Sequence, residues 1–164
     1  MPTALDILQK YWQHDTFRSL QNEIIDSVLD GRDTFALMPT GGGKSICFQV
    51  PTLMNEGICL VVSPLVALMK DQVANLQNRG MKAIALTGGI KSNEIIDLLD
   101  NCQFGNYKFL YVSPERLQSD WILDRIKNLP INLITIDEAH CVSQWGHDFR
   151  PEYRALTVLH QRYP

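Results

Sequence analysis

Short apolar runs alternate along this chain with stretches in which apolar residues recur every three or four positions, and the alternation predicts strands separated by helices. The runs at 34–37, 58–62, 83–86, 109–112 and 133–136 are short and apolar, as buried strands are. Helical spacing is clearest over 65–78. There Leu65, Leu68, Met69, Val73 and Leu76 form one stripe, Lys70, Asp71, Asn75 and Gln77 form the other, and Gly80 follows the end. Further helices are predicted over 44–52, 92–101, 120–128 and 152–161, preceded by a helical region covering 5–12 and 18–30. Strand and helix in turn imply an α/β domain, with a mainly parallel sheet, helices on both faces and right-handed crossovers.

Composition narrows the class. A chain of 164 residues with 45% hydrophobic and 20% charged residues suits one compact domain, which buries roughly 70% of its extended surface. Its apolar runs fall well short of the roughly 20 residues a membrane span needs. The start, Met-Pro-Thr-Ala-Leu-Asp, lacks the basic region and apolar core of a secretion signal, so a soluble, cytoplasmic protein without a membrane partner is expected. Cys47, Cys59, Cys102 and Cys141 are scattered without a C-x-x-C pair, which predicts reduced, mostly buried thiols. A net charge of −3 argues against a wholly basic surface, and any nucleic-acid binding must come from a local face.

The strand predicted at 34–37 runs into Met38-Pro39-Thr40-Gly41-Gly42-Gly43-Lys44-Ser45, which reads as a phosphate-gripping loop ahead of a helix. Three glycines let the backbone wrap the β-phosphate so that several N–H groups converge on it, and the helix adds its positive N-terminal end. Lys44 then reaches the β- and γ-phosphates and Ser45 holds Mg²⁺. The usual pattern G-x-x-x-x-G-K-[ST] has glycine where this chain has Met38; the cradle itself is Gly41 to Ser45, and Pro39 with its fixed φ shares the turn out of the strand. Downstream, a β-branched run ends in Asp137-Glu138-Ala139-His140. Carboxylates at the carboxyl end of a parallel strand lie where α/β sheets bind their ligands. Asp137 is expected to hold Mg²⁺ through its water, and Glu138 to orient and deprotonate the attacking water. Together the two motifs describe a Mg²⁺-dependent nucleoside triphosphatase.

Two further strand ends carry Ser63-Pro64 and Ser113-Pro114 where a helix begins, and a third carries Thr87-Gly88-Gly89. Two readings fit them. They are capping residues that shape the fold, or their hydroxyls and helix N-termini line a groove that follows a sugar-phosphate backbone, with Lys70 on the helix after Ser63.

Phe17-Arg18-x-x-Gln21, Met38 to Ser45, Ser63 to Val73, Tyr111-Val112-Ser113-Pro114-Glu115-Arg116-Leu117 and Asp137 through Pro151 together resemble the first motor lobe of a RecQ-type DNA helicase, a branch of helicase superfamily 2. The resemblance covers nearly the whole chain. Asp-Glu-Ala-His is shared with RNA-directed motors, whereas its extension Ser143-Gln144-Trp145-Gly146-His147-Asp148-Phe149-Arg150-Pro151 is the discriminating part. Trp145, His147, Phe149 and Arg150 also offer π-faces and a cation, the ingredients of a stacking platform for single-stranded bases worth roughly 1–3 kcal/mol per base. The resemblance implies that this loop senses single-stranded DNA and couples it to ATP hydrolysis, and that His140 links the ATP site to a second lobe or to the DNA. It further implies that Gln21 reads the adenine edge, with Arg18 alongside and His14 at the stacking position close to Trp12.

The expected protein is therefore a P-loop, RecA-like ATP-binding lobe at 32–164 behind an N-terminal helical region at 1–31. It would serve an ATP-dependent 3′-to-5′ DNA helicase of repair and recombination, acting as a monomer on single-stranded and partly duplex DNA. By the same resemblance the chain stops before the next coupling motif, and the second motor lobe and accessory modules are absent, so this piece alone is expected to turn over little ATP. Two alternatives stay open: a nucleotide-binding switch without unwinding activity, and an RNA-directed DExH motor.

Overall fold

A computed structural model describes residues 2–18, 21–30, 44–87 and 90–136. It divides into two compact units, Met1–Glu56 and Gly57–Pro164. The strand expected at 34–37 and the helix at 152–161 lie outside the described residues, as do Thr40 to Gly43, Gly88, Asp137, Glu138, His140 and the Trp145 to Arg150 loop.

The first unit is helical: α1 (Ala4–Trp12), α2 (Gln21–Leu29) and α3 (Lys44–Met54), with α3 packed on the other two. Thr3 starts α1 with a capping box, its Oγ1 accepting from Asp6 N–H at 3.1 Å while its own N–H donates to Asp6 Oδ2 at 2.9 Å. Hydrogen bonding to the carboxyl, first from the Thr3 backbone N–H and then from the Thr3 side chain, holds Asp6 below its ordinary pKa. Gln13 closes the helix in the left-handed region at φ 56°, ψ 33°, its N–H returning to Gln9 O. Ile7, Leu8, Trp12, Ile25 and Val50 are buried. Pro51 falls inside α3, where its ring removes one backbone donor.

The second unit is a sheet of β1 (Ile58–Val62), β2 (Ala83–Leu86), β3 (Phe109–Val112) and β4 (Ile131–Ile136) in the order β2-β3-β1-β4, every pairing parallel. The connecting helices are α4 (Val66–Asn78), α5 (Ser92–Phe104) and α6 (Asp120–Lys127), with a 3-10 turn at Pro114–Gln118. Because successive strand residues face opposite ways, the sheet has two distinct surfaces. Ile58, Leu60, Val62, Ile84, Leu86, Leu110 and Val112 form one core with Ile95, Leu99 and Cys102 of α5 and Ile122, Leu123 and Ile126 of α6. On the opposite surface α4 lies against β2, and Tyr111, 1% exposed, donates its hydroxyl proton to Gln72 Oε1 of α4 at 2.7 Å. Helices thus cover both faces, as the apolar runs require: strands with no polar face must be buried twice over. Each fully buried Leu, Ile or Phe adds about 1.5–3 kcal/mol of transfer free energy.

Two local expectations are corrected. Leu65 and Leu68 do not belong to the buried stripe of α4; they are 46% and 38% exposed, while Met69, Val73 and Leu76 are buried. The helix is one residue shorter than its apolar pattern, with Leu65 as N-cap. Nor does either serine cap an α-helix through its side chain in the way the Ser-Pro pairs imply. Ser63 Oγ accepts from Leu65 N–H at 3.2 Å, a turn ahead of the helix, and Ser113 leads into the 3-10 turn with no side-chain capping bond.

Candidate functional site

The carboxyl end of the sheet collects a set of buried hydroxyl residues. Ser63, Thr87 and Ser113 each directly follow a strand, β1, β2 and β3 respectively. Val112 pairs with Val62 on one side and Leu86 on the other, so the three hydroxyl residues lie side by side in the order Thr87, Ser113, Ser63. Ser63 N–H donates to Val112 O at 3.1 Å, carrying the ladder one residue beyond the strand. All three are buried, at 1% for Ser63, 7% for Thr87 and 5% for Ser113, and they stand among the few buried polar residues of the described chain. β4 carries the chain to Ile136, directly before Asp137.

Beside this row Pro64 is half-buried and Lys70 exposed on α4. Leu65, Val66 and Leu68 form an exposed apolar step at the start of the same helix. Arg116, inside the Tyr111 to Leu117 motif but given no role from sequence, reaches back with its guanidinium: Nη2 donates to the Thr87 carbonyl at 2.6 Å, across 29 residues. The signal for it was a cation two residues after a proline at a strand end.

In the helical unit, Lys44 opens α3 and Ser45 lies in its first turn, half-buried. The N-terminal turn of a helix leaves backbone N–H groups without helical partners and carries a partial positive charge, so this position suits a phosphate and the hydroxyl of Ser45 suits a hard cation. A cleft of about 390 Å³ is lined by Leu5, Asp15, Thr16, Phe17, Arg18, Asn22 and Glu23. Gln21 is not at its surface; it is 2% exposed, and its Oε1 accepts the Arg18 backbone N–H at 2.7 Å. His14 is exposed, while Trp12 belongs to the core with its ring edge-on to Tyr11 at 6.2 Å between centroids.

Cys47, Cys59 and Cys102 are buried, reduced thiols. Desolvation pushes the thiols of Cys47 and Cys102 up to about 11 and about 12, which removes them from nucleophilic chemistry near neutral pH. Among the described residues, no helix is long and apolar enough to cross a membrane.

Comparison with known proteins gives the family of this chain. A DEAD/DEAH box helicase model matches residues 18–163. The chain is 48% identical over 156 residues to a probable ATP-dependent DNA helicase RecS of Bacillus subtilis, covering 94% of this chain and 31% of that protein. It is 46% identical over 157 residues to the ATP-dependent DNA helicase RecQ of the same organism, covering 95% and 27%. To the RecQ helicase of Pasteurella multocida it is 44% identical over 162 residues, covering 99% and 26%. The chain thus spans about a third or less of these relatives. With a match running from residue 18 to residue 163, through a parallel sheet whose carboxyl end carries the polar residues, this chain belongs to the DEAD/DEAH box helicase family.

Proposed function

We propose that this chain is the ATP-binding motor lobe of an ATP-dependent 3′-to-5′ DNA helicase of the RecQ type, one that couples ATP hydrolysis to movement along single-stranded DNA and to duplex unwinding in repair and recombination. The observation that carries this reading is the 44–48% identity to proteins named as ATP-dependent DNA helicases along 94–99% of this chain.

Lys44 and the Thr40 to Gly43 loop take the phosphates of ATP, Ser45 and Asp137 hold Mg²⁺, and Glu138 activates water, with His140 coupling the site to its surroundings. The start of α3 at Lys44 supports the phosphate assignment. Bound Mg²⁺ would neutralise charge developing on the β- and γ-phosphates. His14, Arg18 and Gln21 receive the adenine. Ser63, Pro64, Lys70, Thr87, Gly88 and Ser113 follow the backbone of the strand, and Trp145, His147, Phe149 and Arg150 stack its bases. A single file of hydroxyl residues along one sheet end supports the backbone assignment. The lobe works with a second motor lobe in cis, as a monomer, in a reducing, cytoplasmic compartment that suits three reduced, buried thiols.

The test is the ATPase rate of the full-length protein with single-stranded DNA and with RNA. Stimulation by DNA that is lost in Trp145→Ala upholds the reading. Stimulation by RNA alone makes the chain an RNA-directed motor, and no stimulation by either makes it a switch module.

A further inference from the structure

The ladder of β2 ends at Leu86, which pairs with Val112, and β2 is the outer strand of the described sheet on that side. The next carbonyl, that of Thr87, projects beyond the ladder into a 7% exposed setting and needs a donor of its own. Arg116 supplies it from the 3-10 turn that follows the neighbouring strand. The turn is itself held in place: Arg116 N–H donates to Ser113 O at 3.1 Å, and Ser119 N–H returns to Arg116 O at 3.3 Å. One short, charge-assisted bond therefore ties the backbone after β2 to the turn after β3, and so fixes Thr87 relative to Ser113.

From this geometry we infer that Arg116 is a positioning residue for the nucleic-acid strand. It acts through the Thr87 carbonyl, holding Thr87 in file with Ser113 and Ser63, and does not itself contact a phosphate. The inference rests on the proposed reading of that sheet end as a DNA-backbone groove. A planar guanidinium engaged with a main-chain oxygen sets geometry, whereas a lysine at the same place would be a mobile point charge.

The experiment is single-stranded-DNA-stimulated ATP hydrolysis by the full-length protein carrying R116M or R116K, titrated with DNA at several salt concentrations. In R116M the half-activating DNA concentration should rise about tenfold, the effect of losing one charge-assisted bond, while the rate at saturating DNA stays within about twofold. The slope of log affinity against log salt should match that of the parent. R116K, which keeps one donor, should fall between the two. A slope shallower by about 0.7, the share of one phosphate on a single strand, would show a direct phosphate contact and overturn the positioning role. Parental half-activation in R116M would overturn it as well. Should R116M fail to fold, R116Q, which likewise removes the charge, carries the test: a higher half-activating concentration at unchanged slope upholds the role, and the parental value or a slope shallower by about 0.7 defeats it. If the parent protein shows no DNA stimulation, the DNA reading itself falls and this inference with it.

Discussion

The two ends of the sheet are built on different terms. At the amino end the main chain closes on itself: Ile58 N–H donates to Pro130 O at 2.8 Å, Cys59 N–H to Lys108 O at 2.8 Å, and Lys108 N–H to Lys82 O at 3.0 Å. Side chains there serve the backbone as well. Gln77 Nε2 donates to Ala83 O at 2.9 Å, and Lys82 Nζ to Gly105 O at 2.8 Å while lying over the Tyr107 ring. At the carboxyl end a hydroxyl residue follows each of β1, β2 and β3, and a guanidinium bridges two of the crossings. The difference teaches where register is set and where chemistry is possible. In a parallel sheet the carboxyl ends all point one way and the following helices start there, so polar groups gather at that end, where ligands of α/β sheets bind.

Substitutions can break that comparison, and the largest effect is expected from the residues proposed to hold ATP and activate water. Glu138→Gln or Lys44→Ala in the full-length protein should abolish ATP turnover, with Glu138→Gln still binding nucleotide in a fluorescence titration. Normal turnover in either variant would undo the assignment.

The next effect belongs to the amino end. Gly57 has φ +104°, and a Cβ there would stand 2.5 Å from Pro130 O and 3.3 Å from Asn132 Cβ. Gly57→Ala should cost roughly 2–3 kcal/mol of stability in denaturant unfolding, with the ATPase rate per folded molecule retained. A loss of activity without a loss of stability would show that the amino end is not purely structural.

Smaller changes probe the face between the two ends. Tyr111→Phe leaves Gln72 Oε1 without this hydroxyl and should cost about 1–2 kcal/mol, since the removed partner leaves a part-buried acceptor behind. Alkaline unfolding reports on the thiols. Burial raises Cys47 and Cys102 from 9.0 to about 11 and about 12, so above pH 9 the unfolded chain sheds protons that the native state keeps. Stability present below pH 9 should therefore fall as pH rises through that window, and Cys102→Ser should flatten part of the decline. The smallest effect is expected from Gln77→Ala, about 0.5–1 kcal/mol, the net contribution of one neutral hydrogen bond made by an exposed residue to Ala83 O.

Much of the sheet was legible in the chain. The strands 58–62, 83–86 and 109–112 end where their apolar runs end, because a doubly covered strand admits no polar residue until it leaves the sheet. β4 begins two residues earlier than its run, at Ile131, because pairing with β1 draws in Asn132 through a register shift between Ile58 and Cys59. α5 runs on to Phe104, three residues past its apolar pattern, and stops at Gly105, which serves as C-cap. Exposure was harder to read: Leu65 and Leu68 fit a helical stripe by spacing, yet the helix starts after Leu65 and both side chains are exposed. Of the candidate site, the row of hydroxyls was visible as separate strand ends and not as a row.

By itself the sequence determined the alternation of strand and helix, the phosphate-loop and Asp-Glu signatures and the family they resemble, because period, turn chemistry and motif are local properties of the chain. Tertiary structure alone decided the order β2-β3-β1-β4, the alignment of Thr87, Ser113 and Ser63, and the bond from Arg116 to Thr87. Those depend on which distant strands pair and in what register. Local spacing cannot encode that choice, and the shared burial of two sheet faces settles it.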